Sequence, residues 1–260
     1  DDGQVTTHQG VFSLLEKKYP HIQTVRGVRY TDNGNTITSA GITAGIDASL
    51  YTVQKLLGAE VALATAHKLN YPHAQFLSDP RYAPPAGPQA GLTRDANAAL
   101  IWQQSEIGVY LYEGIGEIDL TAVLDTYGRT YTARRSRYGL YLIPRFDFAG
   151  VRGVERIMAP GSRSSMSNAP ALEEWAQAQQ SLPVEYLYAD GDGSTFAFDA
   201  TLTDLARWRN DADAHSSATS LEYPAEHLQL AGKGWPIYRL LPAIAIGLLS
   251  VGLLFSLEKR

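Results

Sequence analysis

The chain has 260 residues, of which 45% are hydrophobic and 19% charged, with a net charge of -5 and no cysteine. That is long enough for one large or two modest domains and apolar enough to bury real cores, which excludes a disordered tail. The acidic balance argues against a sequence-independent grip on nucleic acid, and the missing cysteines remove disulfides, thiolate metal sites and any cysteine nucleophile from these residues.

Residues 4–7 read as a strand end, and Val11, Phe12, Leu14 and Leu15 as the apolar stripe of a helix that stops near Tyr19-Pro20. Residues 25–30 and 36–39 read as strands joined by a turn at 31–35 that carries Asp32, Asn33 and Gly34. Residues 41–45 lead into a stretch that occurs twice. Shifted by 152 positions, residues 46–72 lie without a gap on residues 198–224. Asp47, Ala48, Leu50, Ala62, Ala66, Leu69, Tyr71 and Pro72 recur as Asp199, Ala200, Leu202, Ala214, Ala218, Leu221, Tyr223 and Pro224. Composition alone would give roughly two such matches. Each copy reads as a pair of helices, with the aspartate in a first turn, where a carboxylate suits the exposed amides, and a Tyr-Pro step that forbids further helix.

From 78 to 89 the sequence turns to Asp-Pro, Pro-Pro and Gly-Pro steps, which is linker chemistry and predicts a domain boundary. A short helix is expected at 95–104, a strand buried on both faces at 107–112, and a loop and helix at 114–128. Strands are expected at 130–134, 138–143 and 155–160, then a Ser-rich loop at 162–168, a helix at 172–180, a strand at 184–188 and a tight turn at 190–194 before the second copy of the helical pair. This alternation predicts α/β layers around a largely parallel sheet.

The last stretch differs in kind. Residues 240–257 contain 18 residues without a charge, roughly 27 Å as a helix and just long enough for a hydrocarbon core. Trp235 and Tyr238 sit where interfacial aromatics are favoured, and Arg239 with Glu258, Lys259 and Arg260 brackets the run. The pattern predicts one transmembrane helix over 239–257, membrane lipid as its partner and a membrane localisation. Lys259 and Arg260 adjoin the run more closely than Lys233, which favours an extracytoplasmic soluble part. A buried core helix is the other reading. Pro242, Gly247 and Gly252 weigh against it, because they weaken a helix in water and are tolerated in lipid.

Taken in order, these residues resemble the DJ-1/PfpI superfamily, the class I glutamine-amidotransferase-like proteins. The first copy carries the resemblance in Val5-Thr6-Thr7-His8, in the turn at Asp32-Asn33-Gly34-Asn35, and in Thr38-Ser39-Ala40-Gly41 leading to Thr43-Ala44-Gly45-Ile46-Asp47. The second carries it in residues 107–112 followed by Gly116-Glu117-Ile118-Asp119-Leu120. The resemblance implies a flavodoxin-like, largely parallel sheet with helices on both faces. It also implies that residues 1–77 are the C-terminal part of a first domain, truncated at its start, and that 78–105 are a linker. Residues 106–230 would be a second, degenerate domain. The family's nucleophilic cysteine would fall before Asp1 in the first copy, and in the second no cysteine lies between Pro160-Gly161 and Val184.

The resemblance places His8 beside the nucleophile, where an imidazole lowers a thiol pKa or moves a proton. Read without it, His8 is an ordinary histidine at a strand end. Asp119 matches the acid that approaches the nucleophile from the first helix, with Glu117 a weaker neighbour; a plain acid in a helix's first turn is the alternative. Gly41, Thr43 and Gly45 resemble the segment that closes the family pocket, or they simply connect a loop to a helix. Asp190, Asp192 and Ser194 lack the full calcium-loop pattern and are expected to form a turn. Ser162, Ser164 and Ser165 have no nucleophile elbow around them, and His67 and His73 straddle the Tyr71-Pro72 break and share no helix face.

No metal and no cofactor is expected. The resulting expectation is a membrane-anchored tandem protein whose second domain is a non-catalytic structural, ligand-sensing or interaction module. The resemblance implies a homodimer and a small-molecule ligand as partners. The alternative is a cysteine-dependent hydrolase, hydratase or deglycase-like enzyme that uses His8 with a nucleophile upstream of residue 1. The chain as it stands is not competent for that chemistry, because it contains no cysteine.

Overall fold

A computed structural model describes residues 3–83, 92–93, 95–97, 106–129, 153–179 and 181–234, together with 241, 244–246 and 248. The first half opens with β1 (Gln4–Val5), α1 (Phe12–Lys18) and β2 (Gln23–Thr24), with β1 and β2 paired in parallel. Next come β3 (Tyr30–Asp32) and β4 (Ile37–Ser39), an antiparallel pair that aligns Tyr30 with Ser39. The helical pair follows as α2 (Ala44–Leu57) and α3 (Ala59–Lys68), and then a 3-10 turn at Ala74–Leu77. The second half contributes β5 (Ile107–Val109), α4 (Glu117–Arg129), β6 (Arg156–Ser162), α5 (Ala169–Ala178) and β7 (Val184–Tyr188). It ends in α6 (Ala197–Trp208) and α7 (Asp211–Leu221). Strands β5, β6 and β7 form a parallel sheet in the order β5-β6-β7.

The internal repeat is built the same way twice. Gly58, at φ +97°, supplies the break between α2 and α3; at the matching position Asn210 caps α7 by accepting the Asp213 amide at 2.8 Å. Both pairs end on a left-handed residue, Asn70 at φ 53° and Glu222 at φ 50°. The following tyrosine then turns back. Tyr71 N donates to Ala66 O at 2.9 Å, and Tyr223 N to Ala218 O at 2.8 Å. Each phenol also finds the aspartate 24 residues before it, so that the Tyr71 hydroxyl donates to Asp47 Oδ1 at 2.6 Å and the Tyr223 hydroxyl to Asp199 Oδ1. The repeated Asp and Tyr are therefore a lock between the start of one helix and the end of the next. This accounts for their identity in both copies without any appeal to chemistry.

The two copies meet at these locks. Phe196 lies edge-on to Tyr71, with centroids 5.1 Å apart, and stacks on Tyr223 at 6.3 Å, while His73 is edge-on to Tyr71 and to Tyr223. One buried cluster runs through Leu50, Ala62 and Ala66 of the first copy and Leu202, Ala214 and Ala218 of the second, and takes in Val123 and Met158. A smaller one lies between β6 and α5, around Ile157, Met166 and Leu172.

Two expectations are corrected. The flavodoxin-like arrangement around one largely parallel sheet is not what the described residues form: they make two two-stranded sheets and one of three strands. Local chemistry accounts for part of this. Gly27, at φ +72°, diverts the run expected as a strand at 25–30, so that only Tyr30–Asp32 enters a ladder. Residues 107–109 are half-buried at the margin of the described sheet, and the fully flanked strand is β6. The strands expected at 130–134 and 138–143 lie outside the described residues, as do most of the linker at 78–105 and of the helix expected at 95–104.

The second correction concerns the membrane. Among the described residues no helix is long and apolar enough to cross a bilayer. This overturns the transmembrane helix expected over 239–257, and with it membrane lipid as a partner, the membrane localisation and the extracytoplasmic placement. Hydropathy measures only the ease of leaving water, whereas spanning also needs an unbroken helix of about 20 residues. Within that run only Leu241, Ile244, Ala245, Ile246 and Leu248 are described, as helical positions, and the rest lies outside the described residues.

Candidate functional site

Each half places the residues singled out in the sequence against the end of the other half's helical pair. His8 follows β1 and faces the C-terminus of α7. Its Nδ1 accepts the Gly10 amide at 3.1 Å, so the proton sits on Nε2, which donates to Ser220 O at 3.0 Å. Glu222 Oε1 is 3.9 Å from that Nε2 and accepts the Gln9 amide at 2.6 Å. Both imidazole nitrogens thus serve backbone groups, one of them an orphan carbonyl of the last turn of α7. Beside His8 lies a cavity of about 250 Å³ lined by Thr6, Thr7, Gln9, Arg26, Tyr82 and Glu222 among others.

Gly41, Thr43 and Gly45 serve the same junction. A Cβ on Gly41 would lie 2.6 Å from Glu222 Cβ, so only glycine lets the buried Glu222 side chain seat there. Thr43 is fully buried; its hydroxyl touches Leu221 O at 3.1 Å and Glu222 O at 3.0 Å, and its amide donates to Leu221 O. That amide is spent on protein and is not offered to an anion. Gly45 N donates to Ile42 O. None of the three is among the residues that line the described cavities. Gly41→Ala is expected to displace Glu222 and cost about 1–3 kcal/mol in urea unfolding, with the Gln9 amide resonance shifting as its acceptor leaves.

The group that ties this junction together has no mark in the sequence. Arg29 is fully buried, donates to Asp47 Oδ2 at 2.6 Å and to Thr43 Oγ1 at 3.1 Å, and also reaches Glu222 O. Burial pushes the Asp47 carboxyl up, against the pull of Arg29 and the Tyr71 hydroxyl. A second buried cation, Arg156 at the start of β6, is held by Asp204 of α6, with the Tyr127 hydroxyl bridging them and Trp208 stacked 4.3 Å from the guanidinium. Neither arginine has a spacing or neighbourhood in the sequence that singles it out.

Asp119 and Glu117 belong to a different cavity, of about 490 Å³, at the seam between the copies. It is lined by Gly116, Glu117, Asp119, Tyr188 and Thr195 of the second half and by Lys68 and Asn70 of the first. Asn70 is the positional counterpart of Glu222 in the repeat, so each copy sends its left-handed helix-end residue to the edge of the other copy's cavity. Glu117 is exposed. Asp119 is half-buried, and its Oδ1 accepts the Tyr188 hydroxyl at 2.6 Å. Burial raises the Asp119 pKa despite that bond. The structure does not bring His8 and Asp119 into one site, since they attend separate cavities.

The remaining candidates resolve as turns. Asp192 accepts the Ser194 and Thr195 amides at 2.9 and 3.1 Å and the Thr195 hydroxyl at 2.6 Å, closing the strand-to-helix turn before α6. Asp190 accepts the Ser164 amide at 2.7 Å, and Ser165 N reaches Ser162 Oγ across a 3-10 turn at Arg163–Ser165. Among the described residues no group of three or more His, Asp or Glu side chains is placed to hold a metal ion.

Compared with known proteins, the chain matches no family model and no curated protein.

Proposed function

We propose that the chain is a tandem of two related, DJ-1/PfpI-like halves in which the second half is a non-catalytic structural and ligand-sensing module packed on the first. The observation that carries this reading is Asp119. It stands in the mouth of a cavity that both copies build, with Tyr188 as its hydroxyl donor and no thiol in the chain to assist. A carboxyl whose pKa is raised by burial is a group that the fold retains at a cost, which is the usual mark of a binding or reacting position. An acid kept only for the helix dipole would favour its charged form instead. The enzyme alternative draws less support, because both ring nitrogens of His8 are engaged with backbone groups.

The test is the sign of one substitution. A raised folded-state pKa contributes stability that is complete below the unfolded carboxyl pKa and lost as pH rises through the folded value. At pH 7 Asp119→Asn is therefore expected to raise the urea midpoint, and to have no such effect near pH 3. A loss of stability at pH 7 would reduce Asp119 to a helix-start acid and sink the ligand-sensing reading.

A further inference from the structure

Two buried hydroxyls line the cavity beside His8 with no hydrogen-bond partner among the described residues, Thr6 Oγ1 and the Tyr82 hydroxyl. Thr6 is 4% exposed and Tyr82 9%. Both backbones are fixed. The Thr6 amide donates to Thr38 Oγ1 at 2.9 Å, and the Tyr82 amide to Gly27 O at 2.8 Å. The Tyr82 ring is held as well, edge-on to Phe76 and with the Arg29 guanidinium 4.9 Å from its centre. Burial raises the Tyr82 pKa, so the phenol stays a protonated donor. A fold that pins two side chains and leaves both hydroxyls unused bears a desolvation cost at each. Buried polar groups are normally satisfied, and two unpaired ones on the wall of one cavity are the convergent polar groups that a bound molecule would use.

The other walls narrow its chemistry. Phe12, Val28 and Ala40 supply apolar surface. Glu222 brings a carboxyl whose Oε1 already accepts the Gln9 amide, and Arg26 brings a guanidinium 4.1 Å from the centre of the Phe12 ring. Arg26 is also paired with Glu16 at 2.7 Å, so its charge is met by a residue that does not line the cavity. An anion would face Glu222 and find this cation already taken, and a cation would face Arg26. A neutral molecule avoids both conflicts. Hydroxyls on it would match Thr6 and Tyr82, each of which can donate and accept. At about 30 Å³ for each water-sized group, a cavity of about 250 Å³ takes roughly eight to ten non-hydrogen atoms, the size of a short polyol.

The geometry points to a binding site here for a small neutral polyhydroxyl molecule, with Thr6 and Tyr82 as its hydrogen-bond partners. Glu222 accepts from one of its hydroxyls and Arg26 donates to another, while its carbon chain lies on Phe12 and Val28. Tyr82 also lines the cavity that His73 and His227 share, whereas Thr6 lines none of the other described cavities, so Thr6 is the residue that defines the site. The site rests on buried hydroxyls and not on the DJ-1/PfpI reading, so the Asp119→Asn result and this one stand or fall separately.

Xylitol and D-ribose are the probes, titrated into the full chain and read by amide chemical shifts. Saturable shifts centred on Thr6, Thr7, Val28 and Ala40 are expected. Thr6→Val removes the hydroxyl while keeping the shape and should weaken binding roughly three- to tenfold, as should Tyr82→Phe. Thr6→Ser should retain binding, and Ser49→Ala at an exposed position of α2 should leave it unchanged. The urea midpoint without added ligand is the second readout. An unpartnered buried hydroxyl costs stability, so Thr6→Val and Tyr82→Phe should leave that midpoint unchanged or raise it. A lowered midpoint in either variant would mean that the hydroxyl is already bonded within the folded chain, and it overturns the proposal. So do an absence of saturation, binding that survives Thr6→Val undiminished, shifts centred on Asn70 and Asp119, and saturation by succinate or putrescine where xylitol and D-ribose give none.

Discussion

Arg29→Met is expected to cost the fold about 3–5 kcal/mol. The guanidinium is fully buried and joins two pieces of chain far apart in sequence: Thr43 and Asp47 at the start of α2, and Glu222 O at the end of α7. Removing the cation leaves the Asp47 carboxylate buried with only the Tyr71 hydroxyl as a charge-stabilising partner, and it leaves the Glu222 carbonyl without this donor. The desolvation cost of Asp47, which already pushes its pKa up with Arg29 present, would then be opposed by less. Urea unfolding at pH 7 measures the loss. The origin of the cost is separable, because a buried ion pair contributes little net stability against a well-packed apolar replacement, whereas a widowed charge is expensive. Arg29→Met with Asp47→Leu should therefore recover a large part of what Arg29→Met alone loses. If the double variant is as unstable as the sum of its parts, the junction depends on Arg29 through packing on Phe76 and Tyr82 and not through charge.

That junction also marks the limit of what the sequence made legible. The repeat was readable because two positions 24 residues apart, Asp47 and Tyr71, came back together as Asp199 and Tyr223, and identity at a fixed spacing is what a side-chain lock leaves in a sequence. The helical pairs were readable too, from their apolar spacing and the Tyr-Pro stops. Arg29 was not, since a lone arginine before a strand looks like any surface cation until a carboxylate 18 residues on is found against it. The same holds for Arg156 and Asp204, which are 48 residues apart. Gly41 and Thr43, singled out as lining a pocket, sit where the two halves meet, and their atoms are spent on seating Glu222 and Leu221. At 239–257 the signals were hydropathy, interfacial aromatics and flanking charges, and none of these is itself a measure of helix length.

Acid should loosen the seam between the copies before it reaches most carboxylates, and His73 is the group responsible. It is buried edge-on to Tyr71 and Tyr223, and its Nε2 has no hydrogen-bond partner among the described residues. Burial pushes its pKa down to about 3, and the charges of His227 and Arg29 add to this, against a backbone contact with Pro224 that works the other way. Unfolded, the same imidazole titrates near 6.5. A group whose folded pKa is depressed contributes stability that is complete above its unfolded pKa and is lost as pH falls towards the folded value. From pH 6.5 down to about 3, His73 should therefore remove about 1.4 kcal/mol per pH unit, or roughly 2 kcal/mol by pH 5. His73→Phe keeps an aromatic ring among Tyr71, Tyr223 and Phe76 and abolishes the titration, so its urea midpoint should change far less than that of the parent chain between pH 7 and pH 5. His227 lies beside Asp199, 3.0 Å away, at the same seam, and His227→Gln serves as the control that should leave most of the acid sensitivity in place. Equal acid sensitivity in the parent and in His73→Phe would place the proton elsewhere and remove His73 from the account.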